Sequence, residues 1–202
     1  MANTSKINGF RPVKHLNGSP YNGQANLYYV SSATDEILVG DVVKLAGSAD
    51  ANGIPSVDIS GTTDVAVGVV VGIMHSKFDP SGKMTTGAVS LDLPAAAQIA
   101  VSGAGYVMVA DSPDIVFEVE TSNGDIAAAN VGLNVTPAVG ARTASTVTSP
   151  ATIDMGTEST TSTLMFKILG LSQKVGNEIA TSAKVLVMFN AHQFGSVGTT
   201  GL

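Results

Sequence analysis

The sequence predicts a mainly β, single-domain fold, a β-barrel or jelly-roll-like sandwich with an extended N-terminal arm. Three observations carry that expectation. Apolar residues recur with period two, most cleanly in Ile115-Val116-Phe117-Glu118-Val119-Glu120, while helical periodicity is almost absent. Asn-Gly pairs at Asn8-Gly9, Asn17-Gly18, Asn22-Gly23, Asn52-Gly53 and Asn123-Gly124 supply the positive φ that tight turns demand. Several apolar, β-branched runs have no polar face, as strands covered on both sides do, which favours a closed or two-layered sheet.

The arm, residues 1–30, comes first. The first 34 residues hold Lys6, Arg11 and Lys14 and no acid; removing these three from the 10 basic and 16 acidic residues of the chain leaves 7 and 16 in residues 35–202, a charge of −9. Up to Asn26 the large apolar side chains are Ile7, Phe10, Val13, Leu16 and Tyr21, too few to bury against one another. The arm therefore needs another surface to lie on.

Residues 31–202 make the body, with strands expected at Ile37–Leu45, Val65–Met74, Ile99–Val101, Tyr106–Ala110, Ile115–Glu120, Leu164–Leu169 and Lys184–Phe189. In the Ile115–Glu120 strand the alternation turns Glu118 and Glu120 to one face, read as solvent-facing. Asp79-Pro80-Ser81-Gly82 is a further turn signal. Two short Ala-rich segments, Pro94–Ala100 and Asp125–Asn130, are the helix candidates, with Asp125 placed to cap the second. The Ser/Thr-rich stretch Ala141–Thr163 is expected as an exposed loop with a short strand near Ile153, or as an excursion that meets a partner.

Charged residues are only 13% of the chain, against about 25% in average soluble proteins. Lys and Glu are the residues that keep edges apart and are depleted from protein contacts, so a chain with few of them is suited to an assembly. There is no cysteine, hence no disulfide and no thiolate metal site. The start, Met1-Ala2-Asn3-Thr4-Ser5-Lys6, has neither an apolar export segment nor a myristoylation pattern. The longest apolar run, Val65 to Met74, falls well short of the roughly 20 residues of a membrane helix, and no membrane association is expected.

Catalytic and cofactor signatures fail on spacing. Gly103-Ala104-Gly105 lacks the third glycine of a dinucleotide loop and leads into a strand, and Ser81-Gly82-Lys83-Met84 has Met where a phosphate loop needs Ser or Thr. His15, His75 and His192 stand far apart with no second ligand at metal spacing. Asp111 and Asp114, in the turn before Glu118 and Glu120, supply too few oxygens for calcium, and no nucleophile–base–orienter set is visible. No enzyme activity, metal or cofactor is therefore expected. Three basic residues before an acidic body are too few for a nucleic-acid arm, since the body repels a polyanion.

Several segments resemble the head decoration, or cement, proteins of tailed bacteriophages. They are Gly9-Phe10-Arg11-Pro12-Val13, Val39-Gly40-Asp41-Val42-Val43, Val67 to Gly72, Tyr106 to Asp114 running into Phe117-Glu118-Val119, and Asn177-Glu178 with Val185–Phe189, Asn190 and His192. The likeness is a pattern of short β motifs over most of the chain, matched least well at Ala141–Thr163. It implies a non-enzymatic virion protein, made in the host cytoplasm, that binds the outside of a mature capsid as a homo-dimer or homo-trimer and clamps neighbouring copies of the major capsid protein. On that reading Phe10, Arg11, Lys14 and Tyr21 are the expected capsid contacts, because aromatics and Arg most often carry interface energy. Two alternatives stay open: another self-assembling β protein of a tail, fibre or surface layer, and a carbohydrate-binding or hydrolytic β-sandwich using the carboxylates of Asp111–Glu120. Against the second stands the absence of Trp, with aromatics at 5%.

Overall fold

A computed structural model describes residues 3–74, 98–99, 105–142 and 148–195. In chain order its strands are β1 (Arg11–His15), β2 (Asn26–Val30), β3 (Ile37–Leu38), β4 (Val42–Ala49), β5 (Pro55–Ile59), β6 (Gly68–Met74), β7 (Gln98–Ile99), β8 (Gly105–Ala110), β9 (Ile115–Ser122), β10 (Asn134–Ala138), β11 (Thr152–Ser159), β12 (Phe166–Leu171) and β13 (Lys184–Phe189). The mainly β, barrel-forming domain expected from the sequence is what the chain forms, and the barrel closes twice.

The first closed barrel runs β2-β5-β4-β6-β8 and returns to β2, with β2 and β5 parallel. Its interior is filled largely by valine, including Val30, Val43, Val57, Val70, Val107 and Val109. Stiff β-branched side chains suit so narrow a ring. The second sheet runs β1-β9-β11-β10-β12-β13, and β13 pairs back onto β9, so β9 to β13 also close on themselves with β1 as an added strand. Its core is aromatic: Phe166 stacks on Phe189 at 4.8 Å between ring centroids, and Phe117 meets Phe189 edge-on at 5.4 Å. In sequence, the valine barrel is an insertion between β1 and β9 of the phenylalanine barrel.

Two glycines and a buried ion pair join the barrels. The backbone at Gly9 crosses Gly40, and both have positive φ, +64° and +96°. A Cβ on Gly9 would lie 2.6 Å from the Ser149 Cβ and 2.7 Å from the Gly40 carbonyl oxygen, so only glycine fits this crossing. The Phe10 N–H donates to the Gly40 carbonyl at 2.9 Å, the Gly40 N–H to Val70 at 2.8 Å, and the Ser149 N–H to Val39 at 3.1 Å. Beside the crossing, the Asp41 carboxylate is wholly buried. It accepts from Arg142 Nη1 and Nη2 at 2.7 and 3.0 Å, from the Leu38 N–H at 2.7 Å, and from the Ser149 hydroxyl. Burial holds the Asp41 carboxyl above the usual aspartate range, and Arg142, Ser149 and Leu38 offset this only in part.

Three expectations are corrected. Asp125 caps no helix: that segment forms only a short 3₁₀ turn, Ala128–Asn130, which starts after Ala127, and the Asn130 side chain accepts from the Ala127 N–H. Gln98 and Ile99, inside the other helix candidate, are strand β7, paired with β3; the rest of that candidate lies outside the described residues, as do His75 and the Asp79–Gly82 turn. In Ala141–Thr163 the strand expected near Ile153 is present as β11, but the described residues around it are not simply an exposed loop. Arg142 and Ser149 anchor the interbarrel ion pair, and β11 lies between β9 and β10 within the second sheet.

Candidate functional site

The N-terminal segment does not project from the body; it lies along the phenylalanine barrel as β1, antiparallel to the first half of β9. Two features fix it there. Phe10 enters the core, 1% exposed, with its ring stacked on Phe166 at 4.6 Å. Upstream, the Asn3 amide donates to the Glu178 and Thr181 carbonyls at 2.9 and 3.0 Å, and the Ser5 hydroxyl and Lys6 N–H donate to the Glu120 carboxylate at 2.6 and 2.8 Å. The surface that the arm needs is the protein's own barrel.

This fastening sorts the four expected contact residues. Phe10 is a core residue and presents nothing to a partner. Tyr21 is half-buried against the core, its hydroxyl donates to the Gln24 carbonyl at 2.8 Å, and burial, then the Asp111 charge, push its phenol up. Arg11 and Lys14 are exposed. A bulge between Pro12 and Lys14 accounts for their common outlook. Arg11 pairs with Glu118 and Lys14 with Val116, so one extra residue restores both basic side chains to the same face of the strand pair.

Glu118 and Glu120 are not solvent-facing, and this corrects the reading of the alternation. They are 5% and 3% exposed, because the N-terminal segment and the loop after β12 cover their face. Glu118 accepts from the Ser172 hydroxyl at 2.6 Å and from the Lys174 ammonium at 2.5 Å; Glu120 accepts from Lys184 at 2.7 Å in addition to Ser5 and Lys6. Burial raises both carboxyls, but Lys174 with Ser172, and Lys184 with Ser5 and Lys6, outweigh it and hold both below the usual glutamate range. Lys184 also donates to the Lys6 carbonyl, so one ammonium ties β9, β13 and the arm together.

The ion pairs leave charge over. A cleft of about 240 Å³ opens here, lined by Lys6, Asn8, Gly9, Arg11, Glu118, Val119, Lys174 and Lys184. Among the described residues the Lys6 ammonium and the Arg11 guanidinium make no ion pair. Sequence reasoning missed this cluster, since Lys174 and Lys184 reach the glutamates only through the loop and the β9–β13 register. Its one signal was the pair of glutamates on a single face in a chain poor in charge.

Comparison with family models, curated proteins and solved structures finds no match to this chain. The site is therefore read from its own chemistry. Among the described residues no group of three or more His, Asp or Glu side chains is arranged to hold a metal. Asp111 accepts from the Tyr28 hydroxyl at 2.6 Å and from Asn26 at 3.0 Å, which fastens the turn between β8 and β9 to β2. Asp114 takes the Ser112 hydroxyl and pairs with His15 at 3.3 Å, so Ser112 and His15 share an acid and form no nucleophile–base pair. His192 is buried; burial holds it neutral, against the smaller opposing pull of the Val67 carbonyl and Asp111.

These shifts fix the sign of the acid response. A histidine lowered in the folded state loses stability as pH falls below the unfolded value of about 6.5, and lowered glutamates lose theirs below about 4.3. Urea midpoints measured from pH 7 to pH 3 are expected to decline in two steps. Glu120→Gln is expected to shrink the lower step, to which Glu118 and the lowered Asp50, Asp64 and Asp114 also contribute, and His192→Gln to remove the upper. An unchanged profile in both variants contradicts the assignment.

Proposed function

We propose that the chain is a non-enzymatic virion structural protein that binds the outer surface of a mature phage capsid and clamps neighbouring capsid subunits. The observation that supports this most is the fixed basic face of an otherwise acidic molecule: Lys6, Arg11 and Lys14 all stand exposed on a segment fastened to a rigid barrel. Because the strand is already ordered, docking costs less conformational entropy than a free tail would. A clamp of this kind stabilises the mature shell by binding it more tightly than the procapsid. Many copies on a lattice hold firmly through modest contacts. The sequence resemblance to decoration proteins points the same way.

The test is binding of the purified protein to mature capsids lacking it, with procapsids alongside. Selective binding, a gain in the heat resistance of the particle, and weaker attachment on raising salt from about 0.05 to about 0.5 M are expected. Equal binding to both shells, or to neither, overturns the reading.

A further inference from the structure

We propose that the cleft between the N-terminal segment and the loop after β12 is a receptor for an acidic side chain of a protein partner. The two glutamates in its wall are hydrogen-bonded by Lys174, Lys184, Ser5, Ser172 and the Lys6 N–H; the Arg11 charge also acts on Glu118, but two carboxylates facing Lys6, Arg11, Lys174 and Lys184 leave positive charge in excess. Arg11 and Lys6 stand at its rim without an ion-pair partner of their own, and Lys174, with 58% of its side chain exposed, adds a third cation beside them while it holds Glu118. A guanidinium flanked by ammonium groups matches a carboxylate, which it grips with paired hydrogen bonds.

Size and charge select the occupant. At about 240 Å³ the cleft is smaller than the roughly 300–1,000 Å³ of typical small-molecule sites, and it suits one or two side chains of a protein surface. The charge of −9 over residues 35–202 disfavours a nucleic acid. Exposed apolar residues adjoin the basic ones in the chain, Ile7 after Lys6 and the fully exposed Val175 after Lys174. An acidic residue set among apolar neighbours would find both contacts here. The partner class rests on the docking reading above; the cleft's preference for carboxylates does not.

The probe is hexaglutamate, titrated into the isotope-labelled full chain at low salt and followed by NMR, with hexaglutamine as the neutral control. Expected are shifts centred on Lys6, Arg11, Lys174 and Lys184, no response to hexaglutamine, and about tenfold or greater weakening in Lys6→Gln/Arg11→Gln. Lys44→Gln, in the valine barrel, should leave binding unchanged. Hexaglutamate binding that survives the double variant, or equal binding of hexaglutamine, overturns the proposal. Capsid binding at wild-type strength by the double variant also refutes the cleft while leaving the docking reading intact. Hexaglutamate binding at the cleft with no capsid binding sinks the docking reading alone.

Discussion

Phe10→Ala is expected to cost about 3–5 kcal/mol, the range for removing a fully buried aromatic ring. The ring is 1% exposed and lies against Phe166, which in turn stacks on Phe189, so its loss leaves a hole at the centre of the phenylalanine barrel. Chemical denaturation measures the loss. Arg11→Ala on the neighbouring exposed position should change stability by less than about 1 kcal/mol, since exposed charges contribute little. Equal effects at the two positions would mean that β1 does not occupy this site in solution. The comparison also decides how the N-terminal segment can be probed. Deleting residues 2–24 removes Phe10 and the Asn3, Ser5 and Lys6 contacts together, so lost binding by such a truncation reports a damaged barrel, whereas charge substitutions at Lys6, Arg11 or Lys14 leave the fold in place.

Arg142→Met is the second large expected effect, about 3–5 kcal/mol, because it strands the buried Asp41 carboxylate without its counter-ion. Asp41 is 0% exposed and the Arg142 side chain 3%, so water does not substitute for the lost partner. Lys44 and Asp64, paired at 2.7 Å but more than 30% exposed on both sides, provide the contrast; Lys44→Met should cost no more than about 1 kcal/mol. Urea denaturation of the two variants under one condition separates them. A small effect at Arg142 would show that the remaining interbarrel contacts, the Gly9–Gly40 crossing and the Ser149–Val39 and Gln193–Ala66 hydrogen bonds among them, hold the junction without the ion pair.

Legibility in the sequence followed the locality of the cause. β13 has the bounds that the apolar run predicts, and Gly18 and Gly53 of the Asn-Gly pairs have the positive φ that their turns require, whereas Gly9 uses its positive φ at the crossing with Gly40. β1 lies in the segment read as an arm too sparse in apolar residues to order itself, and β10 was not among the expected strands; each contains a proline, Pro12 and Pro137, which strands admit only in special places. Both are tolerated for reasons that only pairing reveals. Pro12 lies at the bulge of an added strand, and β10 pairs with β12 only at Asn134 and Val135, so no donor is needed from Pro137 on that side. β2 and β5 are short and close a ring through one parallel contact, Tyr29 with Ser56. The basic cleft was illegible for the same reason. Its lysines are 56 and 64 residues from the glutamates they pair with, and no local pattern encodes that meeting.

The insertion of one barrel inside the other has a consequence for how the chain is made. During synthesis the valine barrel has all its strands once residue 110 has emerged, whereas β1 meets its partner only when β9 follows, and that ring closes only with β13. The segment before β2 is thus translated ahead of the valine barrel yet settles after it, because its hydrogen bonds reach across as many as 178 residues. Such long-range closure is slow. Sparse in apolar residues and free of acid, the early segment can wait in solvent without seeding aggregation, and the completed valine barrel provides the Gly40 carbonyl against which Phe10 is finally seated.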